Sequence, residues 1–329
     1  MTRPVPARRW LLSFLSGGLL FAGASYLAAR RLAHRLVSPE GLAPAPEGRE
    51  SLLEALRGGA SIVSEFAHPG SAQDPVELSA VFASPGRPPE RPTILFLHGK
   101  GGNAAEWEPA AVRALGSGYN VLLPDLRGHG ASGGEFVTYG LLERHDLAHA
   151  LEAARERFGI DPGRLGVHSC SAGSAVALAF AAGEPRLRAL WLESPFAEAD
   201  AMARHYLSLS TGIPSFLLSL TSRWAVARAI RGIERRLGFE GSEGLREIDP
   251  VRRIARVAAP VLLVYGRTDR LVPVPFVERL ARALPPGSEV WETPAGHCHH
   301  DNEAEKVVGE EYRRRWKDFF GRHLPVPVP

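Results

Sequence analysis

Ser171, Asp269 and His297 supply a hydroxyl, a carboxylate and an imidazole, the three groups of nucleophilic acyl transfer. Ser171 lies in Arg164-Leu-Gly-Val-His-Ser-Cys-Ser-Ala-Gly-Ser-Ala-Val-Ala-Leu178. A short apolar run, Leu165 to Val167, leads into small residues around the serine, and a helical pattern follows until Gly183-Glu-Pro185. Strand, sharp turn at a serine, helix is the pattern of a nucleophile elbow. Such a turn requires small residues two before and two after the serine. Here they are Ser169 and Gly173, one departure from G-x-S-x-G. The Ala172 amide would sit at the positive end of the helix, suited to a developing oxyanion. The plainer alternative is a small-residue helix packed closely on a strand.

The remaining groups each follow an apolar run of their own. After Ile94 to Leu97 comes His98-Gly-Lys-Gly-Gly-Asn103, whose glycines let main-chain amides approach a developing oxyanion; the Lys100 amide is the candidate second donor beside Ala172. The run lacks the full spacing of a phosphate loop. After Val121 to Leu123 comes Pro124-Asp-Leu-Arg-Gly-His-Gly-Ala-Ser132, where Asp125 reads better as a loop-stabilising Asx residue than as an acid. Asp269 follows Val261 to Tyr265, placed to accept from a histidine. His297 follows Glu289 to Glu292 in Pro294-Ala-Gly-His-Cys-His-His300. Glu193 is a second candidate acid and His299 a second candidate base. The histidine cluster lacks the Cys or Asp/Glu partners of a zinc site, so no metal and no cofactor are expected. Cys170 and Cys298 flank the serine and the histidine; two incidental small residues are a simpler reading than a redox latch across the site.

These loops need a scaffold that brings them together. Ile94–Leu97, Val121–Leu123, Leu165–Val167, Ala189–Leu192 and Val261–Tyr265 are apolar throughout, as in strands buried on both faces of a parallel sheet. The intervening segments read as helices; in one, Leu147, Leu151, Ala154 and Phe158 share a face that Gly159 ends. Two earlier alternating runs, Ser61 to Phe66 and Val76 to Ala83, suit an antiparallel edge. The result is a doubly wound α/β domain. Between Phe196 and Asp249 two helix-like stretches, 199–210 and 214–237, interrupt the alternation and read as a helical cap over the strand ends, about 197–249, or else as a pair packed on the domain's side.

The N-terminal part is different. Residues 10–29 carry no charge, with Arg3, Arg8 and Arg9 before them and Arg30, Arg31 and Arg35 after. That length spans a bilayer core, so residues 1–38 are expected to be a single-pass membrane anchor. Secretion after cleavage near Ala22-Gly-Ala24 is the alternative. The balanced arginines leave the side of the catalytic domain undetermined. A Pro/Gly/Ala-rich linker, 39–59, with a short helix over Leu52 to Leu56, separates the anchor from a domain at 60–329. The chain has 329 residues and a net charge of +3, and all but Lys100, Lys306 and Lys317 of its basic residues are arginine. They are dispersed and accompany no nucleic-acid motif, so a nucleic-acid partner is not expected. Two cysteines are too few for a disulfide framework.

Serine, acid, histidine is also the chain order of one hydrolase fold. From about Ala60 onward the chain resembles the α/β-hydrolase superfamily, and within it the serine-aminopeptidase-like and membrane-anchored esterase-type members. The resemblance rests on Leu97-His-Gly-Lys-Gly-Gly-Asn103, Asp125-Leu-Arg-Gly-His-Gly-Ala-Ser132, the elbow, Glu193-Ser-Pro-Phe196, Pro260-Val-Leu-Leu-Val-Tyr-Gly-Arg-Thr-Asp269 and Ala295-Gly-His297. It implies Ser171 as nucleophile, Asp269 as acid and His297 as base. The expected function is a membrane-anchored serine hydrolase acting on an ester or related acyl bond of a small, lipid-like or soluble substrate. A peptidase or amidase of the same fold, or an inactive tethered binding protein, are the alternatives.

Overall fold

The structure is a computed structural model that describes residues 48–212, 214–218, 249–298 and 303–327, with isolated positions at 34, 37–39, 224, 227–228, 231–232 and 235. The expected anchor over 10–29 lies outside the described residues, as do most of 214–237 and all of 299–302. Among the described residues no helix is long and apolar enough to cross a membrane.

Eight strands form one sheet in the order β1-β2-β4-β3-β5-β6-β7-β8. They are Ile62–Pro69 (β1), Glu77–Ser84 (β2), Thr93–Leu97 (β3), Asn120–Pro124 (β4), Leu165–Cys170 (β5), Leu187–Glu193 (β6), Val261–Gly266 (β7) and Glu289–Thr293 (β8). The β1–β2 and β2–β4 pairings are antiparallel, and the other five are parallel. The antiparallel edge expected at the N-terminal side is therefore present. Every residue of β3, β4 and β5 is buried, because helices cover both faces of a parallel sheet.

The period of two along each strand divides the core into two layers. Leu95, Leu97, Val167, Leu190, Leu192 and Leu263 point to one face, with helices α3 (Glu143–Phe158) and α4 (Ala172–Ala181). Ile94, Phe96, Trp191, Leu262 and Val264 point to the other, against α1 (Arg49–Arg57), α2 (Glu108–Gly116) and α8 (Ala304–His323). In α3, Leu147, Leu151 and Ala154 are buried on the first face, and Phe158 stacks on Phe82 with ring centroids 4.2 Å apart. Gly159 closes that helix with a positive φ of 70° and an N–H donated to the Arg155 carbonyl.

Helix α1 lies within the span expected to be linker. Its Leu52 and Leu56 are fully buried against the second face, and Arg49 reaches Asp125 at 3.0 Å. Two leucines one helical turn apart give this short segment an apolar stripe, which is why it joins the packed domain.

The insertion after β6 leaves and returns at one place. The Ala199 amide donates to Asp249 Oδ1 at 2.9 Å, and the Val251 amide to the Ala197 carbonyl at 3.1 Å. Its first helix is α5 (Ala199–Thr211). The chain then re-enters through α6 (Pro250–Arg253), β7 and α7 (Val274–Ala281). From α5, His205 Nε2–H donates to the Arg270 carbonyl at 2.8 Å, so the insertion borders the loop that carries Asp269.

Candidate active site

Strand β5 passes into α4 through Ser171, which adopts φ 49° and ψ −121°. A β-carbon at positive φ is strained, and such strain persists only where the surroundings over-determine it. Here they do. The Ser171 amide donates to the Glu193 carbonyl at the end of β6 (2.9 Å), and the Ser174 amide returns to the Ser171 carbonyl (3.0 Å). Gly173 must be glycine, because a β-carbon there would lie 2.4 Å from the His98 carbonyl oxygen and 2.5 Å from that of Leu97. Ser169, the departure from the elbow pattern, is fully buried and uses its hydroxyl. Its Oγ donates to the Trp191 carbonyl at 3.2 Å and lies 3.3 Å from Ser174 Oγ, which in turn donates to the Glu193 carbonyl at 3.1 Å. A hydroxyl seam thus ties the elbow to β6.

His297, on the loop after β8, reaches back across the strand ends. Its Nε2 is 2.9 Å from Ser171 Oγ and its Nδ1 is 2.7 Å from Asp269 Oδ2. The Asp269 carboxylate is buried, so the Nδ1–H donates to it and Nε2 is left to accept the serine proton. The other carboxylate oxygen, Oδ1, accepts the amides of Leu271 and Val272, both at 2.8 Å, which fixes its orientation. The His297 pKa is raised. Burial pulls it down, but Cys298 and the Asp269 carboxylate together outweigh that.

The loop after β3 lies directly against the serine: a β-carbon on Gly99 would stand 3.4 Å from Ser171 Cβ. Lys100 sits in a turn closed by the Gly102 amide on the Gly99 carbonyl (3.2 Å), while Ala172 is the first residue of α4. Burial lowers the Lys100 ammonium to about 8. Two histidines brace this loop from the one after β4. His98 Nε2 accepts the Leu126 amide (3.0 Å) and its Nδ1–H donates to Gly99 O (2.8 Å). His129 Nε2 accepts the Gly101 amide (3.1 Å) and its Nδ1–H donates to Arg127 O (2.8 Å). Both rings therefore serve as neutral imidazoles, and burial pushes the His129 pKa down. Asp125 acts as the expected loop staple: it accepts the amides of Ala104 (2.8 Å) and Ala131 (2.9 Å) and pairs with Arg49.

Glu193, the second candidate acid, belongs elsewhere. Its carboxylate faces the opposite layer, where His168 Nε2–H and Trp191 Nε1–H donate to Oε1, both at 2.9 Å, and the Tyr312 hydroxyl donates to the same oxygen. Trp316 Nε1–H donates to His168 Nδ1 at 3.3 Å, so the His168 proton is on Nε2. The period of two explains the correction. The Glu193 carbonyl points to the elbow while its side chain points below the sheet. The second candidate base, His299, lies outside the described residues, as does His300. Among the described residues no three His, Cys, Asp or Glu side chains are grouped to hold a metal ion.

The sequence reading missed the histidine clamp, the Ser169–Ser174 seam and the two amides on Asp269. Only the first had a signal: a histidine beside glycine in each of two loops that follow neighbouring strands, His98-Gly99 and Gly128-His129-Gly130.

The alpha/beta hydrolase family matches residues 94–310 of this chain. Uncharacterized protein YqkD of Bacillus subtilis is 29% identical over 191 residues, 57% of this chain and 58% of that protein. Uncharacterized protein Rv2307c of Mycobacterium tuberculosis is 31% identical over 208 residues, 63% of each. The chain thus spans less than two thirds of the length of these relatives. Among solved structures, Pyrococcus furiosus esterase Pf2001 aligns with a TM-score of 0.61 at 24% identity, over 80% of this chain and 92% of that one. That likeness is one of fold.

Proposed function

The chain belongs to the alpha/beta hydrolase family, and from that premise we propose that it is a serine hydrolase that cleaves an ester or related acyl bond. The observation that carries this reading is the pair of hydrogen bonds on His297, 2.9 Å to Ser171 Oγ and 2.7 Å to Asp269 Oδ2. His297 takes the hydroxyl proton as Ser171 Oγ attacks the carbonyl carbon, and Asp269 stabilises the imidazolium. The amides of Ala172 and Lys100 receive the oxyanion, one from a helix N-terminus and one from a clamped loop. The imidazolium then protonates the leaving group, and water releases the acyl group from Ser171 by the reverse sequence.

The test is labelling with a fluorophosphonate, followed by turnover of a panel of ester, thioester and peptide substrates. Wild type labels, Ser171→Ala does not, and esters turn over fastest. Peptide turnover above ester turnover would move the reading to an amidase or peptidase. An unlabelled wild type would overturn the enzyme in favour of a tethered binding protein.

A membrane-anchored, lipid-like role is proposed alongside it, with residues 1–38 as a single-pass anchor and about 197–249 as cap. The uncharged run over 10–29 supports the first part. For the second, Tyr206, Leu209 and Phe216 are exposed apolar side chains of the insertion, and Arg228, Arg231 and Arg235 lie further along it. Liposome flotation with and without the first 38 residues tests both parts. The anchor fails if the full chain stays unbound, and the cap's part fails if the truncated form retains no binding.

A further inference from the structure

Helix α5, the first of the insertion after β6, is joined to the loop carrying Asp269 by one side chain. His205 Nε2–H donates to the Arg270 carbonyl at 2.8 Å. That carbonyl belongs to the same peptide group as the Leu271 amide, which donates to Asp269 Oδ1 at 2.8 Å. In a trans peptide the C=O and N–H point in opposite directions within one plane. The Arg270–Leu271 peptide is therefore held from both sides, by the insertion at its oxygen and by the carboxylate at its nitrogen. Turning the plane to release one bond strains the other. The connection continues into the site: Asp269 Oδ2 accepts from His297 Nδ1 at 2.7 Å, and His297 Nε2 lies 2.9 Å from Ser171 Oγ. An unbroken line of hydrogen bonds thus runs from α5 to the serine hydroxyl.

The outer end of this line is firmly seated. Ala203 and Leu207, one turn apart in α5, are buried. The His205 ring lies against that of Phe276 in α7, with centroids 5.2 Å apart. The Phe276 carbonyl accepts the Ala197 amide at 2.9 Å, just before α5 begins, and the Phe276 amide donates to the Pro273 carbonyl at 2.8 Å. The imidazole is therefore set between an anchored helix and the segment that follows the acid.

We propose that His205 is a positioning residue of the serine site, holding Asp269 through the Arg270–Leu271 peptide, so that the insertion takes part in orienting the triad. This deepens the serine-hydrolase reading given above and rests on it. His205 acts through the acid rather than on substrate, and it does so in two ways. It fixes the plane of the peptide, and its donation to the carbonyl oxygen polarises the same peptide, strengthening the N–H that serves the carboxylate. The Val272 amide remains on Asp269 Oδ1 at 2.8 Å, so losing His205 loosens the acid without releasing it.

The test separates the donor from the ring. His205→Phe keeps a ring against Phe276 and removes the donor, whereas His205→Gln keeps a donor and removes the ring. On the full chain, kcat and KM for a soluble ester are measured together with hydrogen–deuterium exchange at the Leu271 amide. His205→Phe is expected to lower kcat roughly three- to tenfold, the worth of one ordinary hydrogen bond, with KM little changed. It should also speed Leu271 exchange by a similar factor, and His205→Gln should stay near wild type in both readings. Full activity in the Phe variant, or an equal loss in the Gln variant, overturns the proposal and assigns the ring to packing alone. Unchanged exchange at Leu271, or an effect confined to KM, also overturns it. Fluorophosphonate labelling of wild type is read separately: its absence removes the serine mechanism, and exchange at Leu271 then decides alone whether His205 holds the acid loop.

Discussion

Ser171 hangs from Glu193 by a main-chain hydrogen bond, its amide donating to the Glu193 carbonyl at 2.9 Å. The carboxylate of the same glutamate takes three donors on the far side of the sheet, from His168, Trp191 and Tyr312. Glu193 thus connects the C-terminal helix α8 to the elbow. Replacing it with alanine leaves buried donors without an acceptor, at about 1–3 kcal/mol each. Glu193→Ala is expected to lower the urea midpoint. Where the protein stays folded, it should slow fluorophosphonate labelling of Ser171 more than it raises KM.

Asp269 Oδ2 accepts from His297 Nδ1 at 2.7 Å, so on the proposed mechanism its removal has two signatures. Asp269→Asn should lower kcat by on the order of 10⁴-fold, the size seen when a triad acid loses its charge. It should also move the acid limb of the kcat/KM profile. The His297 pKa is set against burial by Cys298 and Asp269, so losing the carboxylate lowers it, and the limb shifts to lower pH. An unchanged limb would mean that Asp269 does not charge-pair with the base.

Restoring the consensus glycine at the elbow is expected to harm this protein. Ser169→Gly removes the hydroxyl that joins Trp191 and Ser174. The loss is about 1 kcal/mol for a neutral hydrogen bond, plus about 0.5–1 kcal/mol for a glycine in a strand. Thermal unfolding measures it, and a variant as stable as wild type would show that the seam contributes nothing.

Gly173→Ala meets main chain rather than a flexible side chain. With carbonyl oxygens 2.4 and 2.5 Å from the new carbon, the elbow must move away from β3. The expected outcome is loss of fluorophosphonate labelling in any protein that remains soluble, with far-ultraviolet circular dichroism retained.

Acid should loosen the loop after β3. Burial keeps folded His129 from binding its proton as readily as the unfolded chain does. Its contribution to stability is therefore whole above about 6.5 and is lost as pH falls through the lowered folded value. His129→Gln, which offers Gly101 an acceptor that does not titrate in this range, should flatten the fall of the urea midpoint on acidification. His68 and His168 are also lowered by burial, so part of the wild-type slope should remain.

Much of this arrangement was legible without coordinates because it is local. Apolar strand runs at 94–97, 121–123, 165–167, 189–192 and 261–265 specify a buried parallel sheet by composition alone. Once each strand is followed by a polar loop, all the loops must emerge at one end. Ser171, Asp269, His297 and Lys100 could be chosen on that ground, and small residues around Ser171 are a steric demand of the turn itself.

What the tertiary structure decided is everything that depends on which side of a strand a residue faces and which distant chain meets it. The one-letter pattern around Glu193 does not say that its carbonyl serves the elbow while its carboxylate serves His168. That follows from the register of β6 against β5 and from α8, more than a hundred residues away. The same holds for Ser169, whose role exists only because the Trp191 carbonyl lies beside it. A sequence fixes chemistry and periodicity along one dimension. Hydrogen bonds between residues far apart in the chain are set by packing, and here packing decides how the serine is held.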